Sequence, residues 1–556
     1  MDTTLDYGVA GMQALRAQAE AATYPETLGA LIDDAAARNG DQLLAKWITD
    51  GQTMTYAEYA RLTRKLASSL EAQGIRKGTH VGVMLPNVPA FVVTWGALAR
   101  IGAVMIPVNI SYTETELKFV LTDADAQFIV MDHSVVPVWE AMAEKPALVN
   151  DARVIVHGGT RKGSQDWQAL LEAGEPDYVA TSTLSRTDLL NLQYTSGTTG
   201  FPKGCMLSHE YWILLGSLAA KFRGRGGDVK NVLINAPFFY MDPMWQFIMT
   251  MVLDGTAKIA PRISLSNLYN WLVDEDIHYC IFPQPGLKAW PEGPEDRNIS
   301  LRYVSIFGWS VEAREEVERR FGCVARESFG MTEIGGGLMV PPEAGPKAYQ
   351  RTCGIPAAFR EARIVDDTGK DVAQGEIGEL WIAGRGLLWG YYKRPDANAT
   401  GFSGRWFRTG DLFRQDDDGF YYIVGRIKDM IRRAGENVAA QEVEAAVVSM
   451  EGVWEVAAVG VPDKMRGQEV MVVIRPREGV TPDQIAPDAV IAHCASRLAK
   501  FKTPRFIKYI DDFERTVSGK IVKRALVDEK TNPRVGAWDR TVGKVLDQSE
   551  ADAQTA

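Results

Sequence analysis

Tyr194-Thr195-Ser196-Gly197-Thr198-Thr199-Gly200-Phe201-Pro202-Lys203-Gly204 sets three glycines, four serine or threonine hydroxyls and one lysine together with almost no bulk. It follows the apolar run Leu189-Leu190-Asn191-Leu192-Gln193, which predicts the end of a buried strand. Glycine tolerates positive φ, so successive N–H groups can converge on one anion. The hydroxyls add donors and Lys203 adds a mobile positive charge. The composition is that of a polyphosphate cradle. It is not a Walker A loop, because GxxxxGK[ST] would need Gly at Pro202 and Ser or Thr at Gly204. A flexible surface loop would account for a lone Gly-Thr-Thr-Gly, but not for the whole stretch behind a strand.

Upstream, helix and strand signals alternate. Residues 25–38 predict a helix closed by Asn39-Gly40. Thr55-Tyr56-Ala57-Glu58 is a capping box opening a second helix, with Leu62, Leu66 and Leu70 on one face and Gly74 at its end. Residues 80–85 predict a strand, 88–101 a helix and 103–107 another strand. Thr113 and Glu116 form a second capping box before 117–122, and 126–131 is again a strand. Such βαβ alternation predicts parallel sheets covered by helices on both faces. The rhythm continues past the cradle to about residue 340. Residues 343–430 are short, glycine-rich β pieces that predict a small, partly antiparallel barrel or sheet. From Gly425 a last unit has its own helices and strands, and the polar end from Gly543 is expected to fray.

At 556 residues, at least two domains are expected. Hydrophobic residues at 46% and charged residues at 24% describe a globular chain with ample core material. Sixty-one basic against 71 acidic residues give −10, which disfavours a nucleic-acid surface or an anionic-membrane footprint. The start, Met1-Asp2-Thr3-Thr4-Leu5-Asp6, lacks the pattern of a signal peptide. The most apolar window, residues 81–99, is interrupted by Pro86, Asn87 and Pro89, so strand, turn and buried helix are expected and not a membrane span. Five cysteines without CxxC fit reduced thiols in a cytoplasmic protein, and the six histidines show no zinc spacing.

Five further segments carry chemistry. Glu327-Ser328-Phe329-Gly330-Met331-Thr332-Glu333 offers a carboxylate, Glu333, of the hard-oxygen kind that a phosphate-bound Mg²⁺ uses; read alone it would be a capped helix start at Thr332. Phe307-Gly308-Trp309-Ser310 holds either a pocket wall or a core tryptophan. Trp406-Phe407-Arg408-Thr409-Gly410-Asp411-Leu412 places a carboxylate, Asp411, able to accept from two vicinal hydroxyls. Gly425-Arg426-Ile427-Lys428-Asp429-Met430-Ile431 precedes Gly435-Glu436-Asn437-Val438 and a helix containing Gln441 and Glu444. Arg515-Thr516-Val517-Ser518-Gly519-Lys520-Ile521 is a glycine-lysine turn near the end.

Together with the cradle, these segments resemble the adenylate-forming superfamily, most of all its AMP-forming acyl- and aryl-CoA synthetases, over nearly the whole chain. The resemblance implies an α/β enzyme with an N-terminal adenylation domain over residues 1–427. It implies a mobile α+β C-terminal domain over 428–535, followed by a polar tail over 536–556. It implies Thr195, Ser196, Gly197, Thr198, Thr199, Gly200 and Lys203 on the ATP phosphates and Phe329 and Gly330 beside adenine. Thr332 would contact phosphate, Glu333 would hold Mg²⁺, and Asp411 and Arg426 would contact ribose. Lys428 sits at the hinge position, and Gly435 and Glu436 belong to the CoA step. Lys520 supplies a cation to the adenylation transition state. The family more often has Tyr at Phe329 and a Gly-Gly-Ala-Pro turn at 307–310, so Gly308 and Trp309 depart from its pattern.

The implied reaction takes a carboxylic acid, Mg·ATP and CoA to a thioester through an acyl-AMP, with neither nucleic acid nor a transmembrane segment. Tyr240, Met241, Trp309, Gly308, Gly335 and Gly336, with Pro237-Phe238-Phe239 and Asp242, are the candidate acid pocket. They favour an aromatic, arylalkanoic or short-to-medium hydrophobic acid. The alternatives are a carnitine- or crotonobetaine-type CoA ligase with Asp242 near a trimethylammonium group, transfer to a carrier protein, luciferase-like chemistry, or an inactive nucleotide-binding subunit. A carrier domain after residue 556 is not expected, and a separate carrier protein stays open. Oligomeric state is written in no motif, and a homodimer stays open.

Overall fold

The structure is a computed structural model describing residues 8–195, 202–434, 436–515, 521–527 and 532–555. The chain divides into two units. The first takes residues up to Thr195 together with Pro202–Ala362 and Ile382–Phe407; the second takes Arg363–Trp381 and Arg408–Ala556.

Local signals open the first unit's helices. The Thr55 hydroxyl accepts from the Glu58 N–H while the Glu58 carboxylate accepts from the Thr55 N–H, so Tyr56–Ala72 starts on a complete capping box. Thr113 and Glu116 repeat the device at Glu114–Asp123. The apolar window resolves into the strand His80–Met84 and the helix Pro89–Ile101, with proline in its first turn and Gly102 left-handed at its end. That helix is buried on every side from Ala90 to Ala99, which is why its sequence is apolar all round. Gly96 lets it approach Tyr56–Ala72 closely, since a Cβ there would lie 2.5 Å from Thr63 Cγ2. Among the described residues no helix is long and apolar enough to cross a membrane.

Among the described residues, the first unit contains two large sheets. One runs Gln165–Asp166, Val154–His157, Phe128–Asp132, His80–Met84, Val104–Pro107, Leu189–Thr195, Lys203–Ser208. Its neighbours are parallel except for the last pair, an antiparallel hairpin. The other is parallel from Leu43–Trp47 through Thr256–Ile259, Asn231–Ile234, Tyr279–Ile281 and Tyr303–Ile306 to Val324–Met331. It then turns antiparallel through Gly335–Met339 and Ile355–Pro356. The expected α/β architecture of helix-covered sheets is present.

In the second unit, Trp406–Gln415 and Tyr421–Arg426 pair antiparallel over Asp411 to Gln415, as the glycine-rich β pieces predict. Beyond them an α+β fold sets the strands Met430–Arg433, Val453–Asp463, Gly467–Pro476 and Phe506–Tyr509 with the helices Ala440–Val448 and Pro487–Ala495. Their shared core includes Ile431, Val443, Val447, Val472, Ile474 and Val490.

The polar tail expected to fray is a correction. Trp538–Asp539 pairs with Phe506–Tyr509 and with Lys544–Val545, and a helix covers Gln548–Thr555. The physical reason is two apolar side chains in polar surroundings. Leu546 and Ala551 are buried with Val461, Met471 and Phe506, and burial of that kind stabilises by roughly 25 cal/mol per Å² of apolar surface.

Candidate functional site

Leu189–Thr195 and Lys203–Ser208 form one antiparallel hairpin with Thr195 opposite Lys203. The described ends of the cradle, Thr195 and Lys203, are therefore partners on paired strands. Ser196, Gly197, Thr198, Thr199 and Gly200 lie outside the described residues. Gly204 is where a side chain would crowd the Tyr194 ring, 3.2 Å from its place. That ring's hydroxyl donates to Asp123 Oδ2 at 2.7 Å and ties the hairpin to the helix Glu114–Asp123.

A segment far along the chain adds itself to the hairpin. The Trp389 N–H donates to the Met206 carbonyl, the Met206 N–H to Gly390, and the Tyr392 N–H to Gly204, each at 2.9 Å. Cys205 then stands opposite Tyr391. Lys203 and Cys205 are two apart on one strand and share a face, so Lys203 is diagonal to Tyr391. Its Nζ lies 4.8 Å from the centre of the Tyr391 ring. The Tyr391 hydroxyl donates to Glu333 Oε1 at 2.8 Å. Burial first, and then the Glu333 charge, push the Tyr391 phenol well above its ordinary range, so it remains a donor.

Thr332 and Glu333 occupy the turn between Val324–Met331 and Gly335–Met339. The Ile334 N–H donates to the Met331 carbonyl at 3.1 Å, closing a β-turn. The alternative reading of Thr332 as a helix start is thereby corrected. The strand turns back because Gly335 is left-handed, φ 63°, and lets Gly336 oppose Gly330. Glu333 is buried. The Thr332 carbonyl accepts from the Tyr211 hydroxyl at 2.9 Å, and its Oγ1 lies 3.4 Å from Met241 Sδ. Lys203, Thr332, Glu333 and Met241 are thus brought together. Phe329 is half-buried and Gly330 exposed on the strand leading to this turn.

Beneath the turn, buried Arg360 donates to the carbonyls of Ile334, Gly336, Phe359, Arg385 and Gly386. Burial draws its guanidinium down to about 10. The Leu388 N–H donates to the Glu333 carbonyl at 2.9 Å and completes the clamp. Neither Arg360 nor Tyr391 was legible as a site residue. Tyr391 had a faint signal, since a glycine and two tyrosines precede Lys393-Arg394-Pro395.

The candidate acid pocket divides. Tyr240 is half-buried at the start of Met241–Val252, and the Gln193 amide donates to the Phe239 carbonyl at 2.8 Å, linking that start to the cradle strand. Phe238 lies in the core, stacked on Phe91 at 5.3 Å, and Phe239 is buried. Asp242 Oδ1 accepts from the Trp245 indole at 2.9 Å. Trp309 is 4% exposed and packs edge-on against Phe282 at 5.8 Å, among Leu233, Leu287 and Val304. Its ring is a core side chain, the second of the two readings that the sequence left open. Gly308 just before it is left-handed, φ 70°, and its N–H donates to Glu327 Oε1 at 2.8 Å. Burial is the largest influence on Glu327 and pushes its carboxyl up to about 7, although Arg314 Nη2 lies 3.5 Å away.

In the second unit, Asp411 is buried and stands opposite Arg426, whose Nε is 3.0 Å from Asp411 Oδ1. The Asp411 N–H donates to Thr409 Oγ1 at 3.1 Å, and that hydroxyl donates to the Leu380 carbonyl at 2.7 Å. Lys428 is exposed in the 3₁₀ turn Ile427–Asp429. Glu436 opens the strand Glu436–Ala439, opposite Arg433, while Gly435 lies outside the described residues. Lys523 Nζ bridges Glu444 at 2.7 Å and Asp429 at 3.5 Å, fastening the turn to the helix Ala440–Val448. Arg515 pairs with Ile521 as an isolated bridge; Lys520 lies outside the described residues.

Residues 32–392 match the family described as AMP-binding enzyme, and 442–520 match the AMP-binding enzyme C-terminal domain. A feruloyl-CoA synthase of Amycolatopsis is 30% identical over 483 residues, covering 85% of this chain and 93% of that protein. A crotonobetaine/carnitine–CoA ligase of Citrobacter koseri is 30% identical over 487 residues, covering 85% and 92%. The crystal structure of the anthranilate CoA ligase AuaEII in complex with anthranoyl-AMP superposes with a TM-score of 0.81 at 21% identity, over 91% of this chain and 98% of that one.

Proposed function

The chain belongs to the AMP-binding enzyme family, and on that premise we propose that it is an AMP-forming acid–CoA ligase. The observation that carries the reading is the convergence of Lys203, Tyr391, Glu333 and Thr332 on one edge of the first unit. An ammonium, a hydroxyl and a carboxylate meet there beside the strand pair Leu189–Thr195 and Lys203–Ser208.

The reaction has two halves. A carboxylate oxygen attacks the α-phosphorus of ATP, the bond to the pyrophosphate oxygen breaks, and acyl-AMP forms. The CoA sulfur then attacks the acyl carbon as its proton is lost, and AMP leaves. Both halves depend on positioning and on charge placed in advance. Lys203 and Thr332 bind the phosphates, and Phe329 and Gly330 lie along the adenine. Asp411 accepts from the ribose hydroxyls while Arg426 holds its carboxylate. Lys520 faces the anionic α-phosphate, Lys428 is the pivot between the halves, and Gly435 and Glu436 serve the second. Glu333 presents one hard oxygen donor beside a cation, which fits Mg²⁺, an ion that takes one or two protein carboxylates and fills its sphere with phosphate and water. Held there, it would neutralise phosphate charge.

The acid we assign is hydrophobic: aromatic, arylalkanoic or of short to medium chain. Support comes from the half-buried Tyr240 at the start of Met241–Val252 and from Met241, whose Sδ lies against Thr332; Gly335 and Gly336 complete the acid site in this reading. A betaine is the second reading, favoured by the similarity to the carnitine–CoA ligase. The test is incubation with ATP, Mg²⁺, CoA and a panel of aromatic, aliphatic and betaine acids, reading AMP, pyrophosphate and thioester. Thioester from hydrophobic acids supports the assignment, and activity on betaines alone replaces it. Adenylate without thioester points to another acceptor, and no AMP from any acid removes the ligase reading.

A further inference from the structure

Tyr391 meets two opposite charges at once. Its ring face carries the Lys203 ammonium, 4.8 Å from the ring centre, and its hydroxyl donates to Glu333 Oε1 at 2.8 Å. Both contacts are set by backbone, through the bridge to Cys205, the hydrogen bonds of Trp389, Met206 and Tyr392, and the Leu388 N–H on the Glu333 carbonyl. We infer that Tyr391 is a positioning residue that keeps Lys203 and Glu333 from closing on one another, so that each stays available to Mg·ATP.

The argument is electrostatic. A flexible lysine near a buried carboxylate closes readily into a charge-assisted hydrogen bond, which would cancel the cation meant for phosphate and occupy the oxygen meant for Mg²⁺. The phenol offers each charge a weaker partner. A ring face attracts an ammonium without neutralising it. A neutral hydroxyl orients one carboxylate oxygen and leaves the negative charge in place. Both holds yield to stronger ligands, so ATP can draw Lys203 off the ring. Phenylalanine would keep the first hold and lose the second; leucine would lose both.

This rests on the AMP-forming reading, and the experiment separates the two. ATP binding to the full chain is measured by calorimetry with and without Mg²⁺ for wild type, Y391F and Y391L, alongside thermal melting and steady-state kinetics. Y391F should bind Mg·ATP about tenfold more weakly, the scale of a lost hydrogen bond to a charged group. Its binding of metal-free ATP should change less. KM for ATP and the Mg²⁺ concentration for half-activation should rise together, with KM for the acid unchanged. Y391L should weaken both forms of ATP; if it does not fold, Y391F decides alone. Wild-type Mg²⁺ dependence in Y391F overturns the inference. So does an equal loss of ATP affinity, acid affinity and melting temperature, which would mark a merely structural ring. A wild type that binds Mg·ATP more tightly than Y391F yet makes no AMP from any acid would remove the ligase reading and leave this inference standing. A wild type that binds no Mg·ATP removes both.

Discussion

Asp411 and Arg426 stand opposite one another on paired antiparallel strands, with Arg426 Nε 3.0 Å from Asp411 Oδ1. The aspartate is 2% exposed, whereas the arginine side chain is 42% exposed. Arg426 holds the buried carboxylate, and the Asp411 N–H donates to the Thr409 hydroxyl and fixes the backbone there. Asp411→Ala should raise KM for ATP by at least about tenfold, since it removes hydrogen bonds made to a charged acceptor. It should also abolish the wild-type preference for ATP over 2′-deoxy-ATP. Steady-state kinetics with both nucleotides check this, and a preference that survives takes Asp411 off the ribose.

Lys520→Ala should remove most adenylate formation while sparing thioester formation from supplied acyl-AMP. One preorganised electrostatic donor is worth roughly 3–4 kcal/mol, or roughly 10²- to 10³-fold in rate. Measuring the half-reactions separately decides the matter, and equal losses would end the proposed role.

Lys428→Pro locks φ near −65° at a position in the turn between two strands of the second unit. Adenylation should survive better than thioester formation. Wild-type thioester turnover in this variant would move the pivot elsewhere.

Glu327 links stability to pH. Its carboxyl rises from 4.5 to about 7 because burial penalises the charge. The folded protein therefore holds this proton more tightly than the unfolded chain does. The stability that Glu327 contributes is fully present below about pH 4.5 and is lost as pH climbs through about 7, about 3 kcal/mol for this group. Glu327→Gln, which keeps an acceptor for the Gly308 N–H, should lose that component. Urea midpoints at pH 5 and pH 8 test it: the gap between them should narrow in the variant.

Trp309→Ala should destabilise the first unit by roughly 3–5 kcal/mol, the cost of emptying a core aromatic site. It should leave the preference among acids of graded length unchanged, whereas Tyr240→Ala should shift it. A longer acid newly accepted by the Trp309 variant would return that ring to the acid's side of the wall.

The features legible in the residues alone were those whose physics closes within a few positions. Thr55 with Glu58 and Thr113 with Glu116 satisfy one another across three residues, so their helices begin where the sequence says. Pro89 and Gly102 bracket a buried helix by backbone preference alone. The alternating apolar runs sufficed for parallel sheets. What the tertiary structure decided depends on contacts between distant residues. Thr332 and Glu333 carry a helix-start signal, yet the three glycines behind them and the carbonyl ligands of Arg360 turn the chain back as a hairpin. Phe238 and Trp309 have the composition of a pocket wall, but whether an aromatic ring faces a cavity or the core depends on which side of a sheet its strand or turn presents. Leu546 and Ala551 are too sparse to signal a packed segment until Phe506 and Met471 lie beneath them. Tyr391 reaches Glu333 across 58 residues and Lys203 across a strand edge, and no short-range rule relates the three, because their proximity exists only once Trp389–Tyr392 has added itself to the hairpin.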